Sequence, residues 1–573
     1  MSSRRSITET SLYALALLLA LGLRFVNLGA LPLTDFEASP ALQALHVADG
    51  LKPAIGADPA YVHLTAVLFF VFGATNFLAR FWPALAGSLL VLAPLLFRGR
   101  LGRIPALLLA FFLACDPGLL ALARMAGSSI LAITTIVFAA AFWQMGRRAA
   151  AGVCAAFALL AGPGAWFGLF GLLLAWAIGA GLKAPAEKKA GSGEAGAAPA
   201  RTGWDALRGP LGWGAGTLLL AGTLFLFSPQ GLAGTFSALA AFISGWWMPS
   251  GVPVSRLLAA LPAYALMPLV FGLAAAVRGA VRRDPLPLRL GLWALAALLL
   301  ALAYPARQTG DLAWALLPLW TLAALELGLH FDFGKANIWE YGGVAALTVS
   351  ILTIAGLNFA SVTGVNLLTD YGKLRMLFVA GLLLLWALAL ALAALGWSKD
   401  MARLGGAWGA AIVLAVYMLG AATGAGGLRL PRTVEMWNPS PPIADADLLL
   451  QTAEQVSEWS TGSADSLPVV VYGVKSPALL WLFRDREVSQ ADALSSADSP
   501  ALVVTPSGVT LNLAASYRGE GFRWRQAPLW EQAAVTDWSR WFAFRELPVA
   551  DETVILWVRS DLLIDSQDQV TTP

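Results

Sequence analysis

The sequence predicts a mainly α-helical, polytopic membrane protein that carries a small C-terminal α/β domain. Three observations lead there. Of 573 residues, 58% are apolar and 13% charged, where soluble proteins hold about 45–50% and about 25%. A fold of this size cannot cover such a composition with polar surface, so most of it must lie in lipid. The apolar residues gather into runs approaching the roughly 20 residues that a bilayer demands. Charge is also unevenly placed. Residues 433–573 hold nine basic and nineteen acidic side chains, and residues 1–432 twenty-nine basic and sixteen acidic. The whole-chain net of +3 thus conceals a cationic body and an anionic tail. A secreted or cytosolic enzyme is excluded. Nucleic acid is excluded as a partner, because no basic stripe sits on a soluble module. Cys115 and Cys154 lie in apolar runs and supply neither a disulfide framework nor a zinc set.

The first span follows Arg4 and Arg5 and covers 12–26. It resembles a signal peptide, but many spans follow and no small-residue cleavage site closes it, so it reads as uncleaved. Further spans are expected at 81–97, 104–121, 129–145, 149–162, 167–182, 213–227, 257–277, 290–304, 312–329, 342–360, 376–395 and 407–424. That makes about thirteen. Lys and Arg accumulate in cytoplasmic loops. Arg98/Arg100/Arg103, Arg147/Arg148, Lys183/Lys188/Lys189, Arg278/Arg282/Arg283 and Lys399/Arg403 all fall inside with Arg4/Arg5 if 61–77 does not cross. That segment is therefore read as a re-entrant or upright helix in the outer loop 30–79. The odd count leaves the N-terminus cytoplasmic and the tail extracytoplasmic. The chain divides into a membrane domain, 1–430, and a soluble domain, 431–573. Between them in composition, 183–203 is low in complexity and reads as a disordered cytoplasmic linker. Strand-like runs at 467–472, 501–505 and 553–558, with a helical one at 476–484, make the tail α/β.

Charged groups near lipid are costly, about 2.5–3.5 kcal/mol each on insertion scales, and mark function by default. The outward ones gather in three loops. Asp35 and Glu37 stand directly after the first span, at the start of an amphipathic stretch. There Asp35 can cap the helix with Glu37 in its first turn, or both can serve chemistry. The second loop carries Asp116-Pro117 and Arg124, readable as a helix stop with a snorkelling arginine or as part of a site. The third carries Arg307 and Asp311, which can pair with each other. Lys52, His63, Arg80 and Arg256 complete the outward set, His63 being either an interfacial hydrogen-bonder or a ligand. Carboxylates facing cations can deprotonate an acceptor or hold a cation, and arginines bind phosphate in bidentate fashion.

These residues resemble a known family. Leu33-Thr-Asp35-Phe-Glu37-Ala is similar to the acidic first-loop motif of the C-type (GT-C) glycosyltransferases of glycosyltransferase family 39, such as protein O-mannosyltransferases and the lipid A aminoarabinose transferase. Tyr61-Val-His63, the stretch from Val71-Phe-Gly73 through Arg80 to Gly87, Asp116-Pro117 to Arg124, Tyr304-Pro-Ala-Arg307 to Trp314, and Ala478 to Asp485 resemble further segments of it. The resemblance implies a plasma-membrane enzyme of GT-C fold that moves a sugar from a polyprenyl-phosphate donor to a protein, lipid or glycan acceptor outside the membrane. The first-loop carboxylate would be the base, and Arg307 and Arg124 would neutralise the departing phosphate, with Asp116, His63, Lys52 and Asp311 lining the substrates. Phe36 separates two acids that the family usually has adjacent, so the base is Asp35 or Glu37. Residues two apart on a helix point about 200° from each other, so one of them faces the cavity; Asp35, short and close to the membrane exit, is favoured. Ser128-Ser129 stand where many relatives have an acid. No cofactor is assigned, and a divalent metal, Mg or Mn, is compatible with the acidic loop. Two other readings stay open. A carrier of lipid-linked saccharides would show an inverted repeat and midplane charges, and an inactive scaffold would use the tail to bind envelope glycans.

Overall fold

The computed structural model describes residues 2–183, 203–331, 338–363, 369–429 and 433–563. The linker expected at 183–203 lies almost wholly outside them. The chain is helical to Ala425, and a five-stranded sheet follows. Among the described residues, eight helices are long and apolar enough to cross a membrane, or ten if each of two bent pairs is one span. The thirteen expected spans therefore do not all meet that test. The helices at two of them, Ile130–Gln144 and Arg148–Leu160, have 15 and 13 residues, short of a hydrocarbon core about 30 Å thick at ~1.5 Å per residue.

Four helices open the chain: α1 (Ser2–Phe25), α2 (Asp35–Ala48), α3 (Pro59–Phe72) and α4 (Asn76–Leu90). α3 is the segment expected not to cross. Its 14 residues end at Gly73 with φ +80°, a left-handed stop that glycine adopts at no steric cost. Thr75 then caps α4 by accepting from the Leu78 N–H. α4 approaches the Pro117–Ala123 helix closely because Gly87 has no side chain. A Cβ there would come within 2.5 Å of the Ala123 Cβ.

The two bends have local causes. Arg103–Cys115 and Pro117–Ala123 meet at 56°, where Pro117 lacks the N–H that would continue the ladder. Val254–Tyr264 and Leu266–Arg282 meet at 90°, with Pro268 one residue past the new helix's first two positions.

The C-terminal sheet has strands β1 (Val469–Tyr472), β2 (Val488–Ala491), β3 (Leu502–Pro506), β4 (Tyr517–Pro528) and β5 (Val549–Arg559) in the order β2-β1-β3-β5-β4. β1 pairs in parallel with β2 and β3, and β5 is antiparallel to β3 and β4. Helices Ala446–Thr461, Pro477–Leu482 and Val535–Phe544 complete an α/β unit. β1, β3, β5 and the Pro477–Leu482 helix fall where the apolar runs were read. β2, β4 and the two longer helices were not anticipated. β4 carries three arginines and one glutamate, yet it inserts Phe522 and Trp524 into the core.

Candidate active site at the junction of helices and sheet

α1 ends at Phe25, and its last carbonyls need partners. Arg124, at the end of the Pro117–Ala123 helix, supplies them. Its Nη1 donates to the carbonyls of Leu23, Arg24 and Val26 at 3.1, 2.9 and 2.8 Å, and its Nη2 to Asn27 at 3.3 Å. The loop that follows is gripped by Arg80 of α4, which donates to the carbonyls of Leu28, Leu31 and Pro32. The same guanidinium forks onto Glu37, with Nε–Oε1 at 2.6 Å and Nη2–Oε2 at 2.7 Å. Glu37 also accepts from the Thr34 backbone and hydroxyl at 3.1 and 3.2 Å and from the Ala126 N–H at 3.1 Å. Burial alone would raise the Glu37 pKa, but Arg80 and these donors hold it below the usual carboxylate range. Thr34, not Asp35, is the N-cap residue of α2.

Asp35 turns away from Glu37, as residues two apart on a helix must, and meets the sheet unit. Its Oδ1 accepts from the Ser476 hydroxyl at 2.5 Å and the Ala478 N–H at 3.1 Å, and its Oδ2 from Arg525 Nε at 2.6 Å. Arg525 continues to Glu552 at 3.0 Å. Alongside, Trp481 Nε1 donates to Asn76 Oδ1 at 2.8 Å, and its ring lies 5.6 Å from Phe69.

Between these two anchors lies a cavity of about 360 Å³. Glu37, Arg80, Arg124, Arg256, Glu435 and Trp530 border it. Arg256 stacks its guanidinium 5.3 Å above the Trp530 ring, and its buried Nε has no hydrogen-bond partner. Three guanidinium groups on one small cavity have the chemistry to hold an anion. Arg80 and Arg124 spend most of their donors on protein atoms, while Arg256 keeps capacity for a ligand.

The expected site is thus only partly assembled. Glu37 and Arg124 border the cavity. Asp35 does not, which reverses the expectation that it is the carboxylate turned inward; its oxygens are committed to the sheet unit. Asp116 is buried away from the cavity, capping the Leu119 N–H and accepting from Trp320 Nε1, both at 2.6 Å. Arg307 donates to the Val252 carbonyl at 3.1 Å, and Asp311 accepts from the Gln308 N–H at 2.8 Å. Among the described residues no ion pair joins them. His63 is buried with Nδ1 3.0 Å from the Ala221 carbonyl, and Lys52 is exposed. None of these five borders the cavity. Glu435 was not anticipated. It follows the last helix at the head of the acidic tail, and no motif marks it.

The residues present do not suit a divalent cation. Among the described residues no three His, Cys, Asp or Glu side chains converge, and both Glu37 oxygens are taken up by Arg80 and backbone donors.

No family model and no curated protein sequence matches the chain. Solved structures do. ArnT from Cupriavidus metallidurans bound to undecaprenyl phosphate superposes with a TM-score of 0.56 at 14% identity, over 95% of this chain and 97% of that one. The same protein in the apo state gives 0.54 at 14% identity, over 96% and 99%. The likeness spans both the helical body and the sheet unit. It shows that this chain has the fold of that protein.

Proposed function

We propose that this protein is a membrane glycosyltransferase that takes a sugar from a polyprenyl-phosphate donor and passes it to an acceptor hydroxyl, with the 360 Å³ cavity as its active site. One observation carries the reading. A cavity rimmed by Arg80, Arg124 and Arg256 lies between the helices and the sheet unit of a fold shared with a protein bound to undecaprenyl phosphate. Arg256 is the residue to seize the phosphate, since its guanidinium is stacked and oriented but not saturated. Arg124 adds positive charge beside it. As the sugar–phosphate bond breaks, negative charge grows on the phosphate oxygens, and fixed cations in a water-poor site stabilise it. The fold likeness is also why the transferase reading is preferred to a carrier.

The remaining assignments belong to the same proposal. The membrane domain is 1–430 and the soluble domain 431–573, with the N-terminus cytoplasmic and the cavity extracytoplasmic. Glu37 holds Arg80 and the first loop in place, and Asp35 latches the soluble domain over the cavity. Arg307, Asp311, His63 and Lys52 would act on the acceptor's approach rather than at the reacting bond. The test uses the purified full chain, a panel of undecaprenyl-phosphate-linked monosaccharides, and protein, lipid and glycan acceptors, read by mass spectrometry. Release of undecaprenyl phosphate with a glycosylated acceptor supports the reading. Donors bound and moved across vesicles without bond cleavage would make the protein a carrier.

A further inference from the structure

Glu435 is 8% exposed and borders the cavity. Its Oε2 accepts from the Tyr264 hydroxyl at 2.5 Å, and Tyr264 is itself held by the Met436 N–H at 3.1 Å. Its Oε1 makes no hydrogen bond within ordinary limits, the Thr433 hydroxyl beside Gly424 being the donor on that side. That bare oxygen sits against the end of the Lys399–Ala425 helix at Gly424. A Cβ on Gly424 would come within 2.6 Å of Oε1 and 3.3 Å of the Thr433 hydroxyl. Only glycine leaves the carboxyl this position.

Leaving one oxygen of a buried carboxyl unmatched is costly, so its persistence needs an explanation. The charged and titratable groups around it are Arg545, Tyr264 and Arg429. Arg545 forms no ion pair with it among the described residues. Instead its guanidinium lies 4.7 Å over the Tyr264 ring and 4.6 Å over Trp541, and donates to the Ala263 carbonyl at 2.6 Å. Burial lifts the Glu435 pKa above the usual carboxylate range, against the pull of Arg545 and the Tyr264 and Thr433 hydroxyls.

Compare the other carboxylates. Glu37 accepts five hydrogen bonds and is held ionised, which makes it a weak base. Asp35 is outside the cavity. We infer that Glu435 is the general base of the transfer reaction, its Oε1 taking the acceptor hydroxyl proton; this rests on the glycosyltransferase reading above. The acceptor oxygen forms its bond to the anomeric carbon as the carbon–oxygen bond to phosphate breaks, and that electron pair leaves on the phosphate. The acceptor proton goes to Glu435 Oε1 and from there to water. A base typically supplies about 10²–10⁴ in rate, and a raised pKa brings a carboxylate closer to the value that works best near neutrality.

The experiment uses the purified full chain with whichever undecaprenyl-phosphate monosaccharide the wild type turns over, and undecaprenyl phosphate alone as the binding probe. Glu435→Gln is expected to lower turnover by about 10²–10⁴ while undecaprenyl phosphate affinity stays within about threefold. The wild-type rate should rise with pH along a limb that the variant lacks. Gly424→Ala, which displaces the carboxyl without removing it, should cost turnover in the same way. Glu435→Ala should regain part of its rate when formate is added, as a merely structural residue would not. If the wild type cleaves donor and Glu435→Gln keeps its rate or its pH limb, Glu435 is not the base and the transferase reading stands. If the wild type cleaves no donor, the transferase reading falls and takes this inference with it.

Discussion

Glu37 and Arg80 keep only 5% and 6% of their side-chain surface, so each depends on the other to remain charged. Removing one partner of such a pair costs about 3–5 kcal/mol, because the other charge is left buried and alone. Glu37→Gln should therefore lower the melting temperature by several degrees, and Glu37→Gln with Arg80→Ala should cost less than the sum of the single changes. The pH dependence follows from the sign of the shift. A carboxyl whose folded pKa lies below its unfolded value of about 4.3 adds stability above that value and loses it as pH falls further. Thermal melts of the wild type should hold steady from neutrality to about pH 4.3 and then decline, and Glu37→Gln should flatten that decline. Arg256 makes a different prediction. Arg256→Lys keeps the charge but loses the planar fork and the stack on Trp530, so undecaprenyl phosphate should bind about tenfold more weakly, near 1.4 kcal/mol, with little change in melting temperature. Unchanged binding in Arg256→Ala would remove Arg256 from the phosphate site. The first-loop carboxylates and Arg124 were legible from position alone, since charges next to a span stand out. Glu435 was not. Its surroundings come from Gly424, eleven residues before it, and from Tyr264, 171 residues before it, and only folding brings Tyr264 there.

At the scale of elements, the sheet unit and α2 are joined through Asp35. The Pro477–Leu482 helix offers Asp35 its capping serine and an N-terminal N–H, and β4 offers Arg525. Charge-assisted hydrogen bonds of this kind contribute about 1.5–3 kcal/mol each when partly buried. Asp35→Asn should loosen the latch without unfolding either part. Hydrogen exchange should then speed up over residues 474–484 and in the first turn of α2, while α1 and α4 stay protected. Equal protection in both proteins would mean that Trp481, through Asn76 and Phe69, holds the unit alone. The composition of this latch explains what the sequence hid. Apolar runs announced β1, β3 and β5 because both their faces or one whole face are buried. β4 alternates buried Phe522 and Trp524 with Arg523 and Arg525, and its Arg525 is charged because it serves another element. α3 has 14 residues and stands where the sequence reading expected a segment that does not cross, because a crossing there would scatter the basic clusters across both faces.

For the whole molecule, the open question is which face of the membrane holds the cavity, and two structural facts join the charge pattern in answering it. The cavity touches Leu28 and Leu31, just past the C-terminal end of α1, and Gly424 to Gly427, at the C-terminal end of the last long helix. α1 runs away from Arg4 and Arg5, so the cavity lies on the opposite face from that pair. Arg98 bonds Glu9 at 3.0 Å, which sets the Arg98–Arg103 cluster near the N-terminal end of α1 and again opposite the cavity. Basic clusters prefer the cytoplasmic side, and the tail has nineteen acidic side chains to nine basic. Both signs favour a cytoplasmic N-terminus with the cavity and sheet unit outside. An alkaline phosphatase fused after Arg432 should be active, and a green fluorescent protein fused at the same point should be dark. Cysteines introduced on exposed residues of the sheet unit, such as Trp459, which is 75% exposed, should react with a membrane-impermeant maleimide in intact cells. Cysteines replacing Arg147 or Arg282 should react only after lysis. The opposite labelling would invert the protein, and a polyprenyl-phosphate donor would then have to be used on the cytoplasmic face.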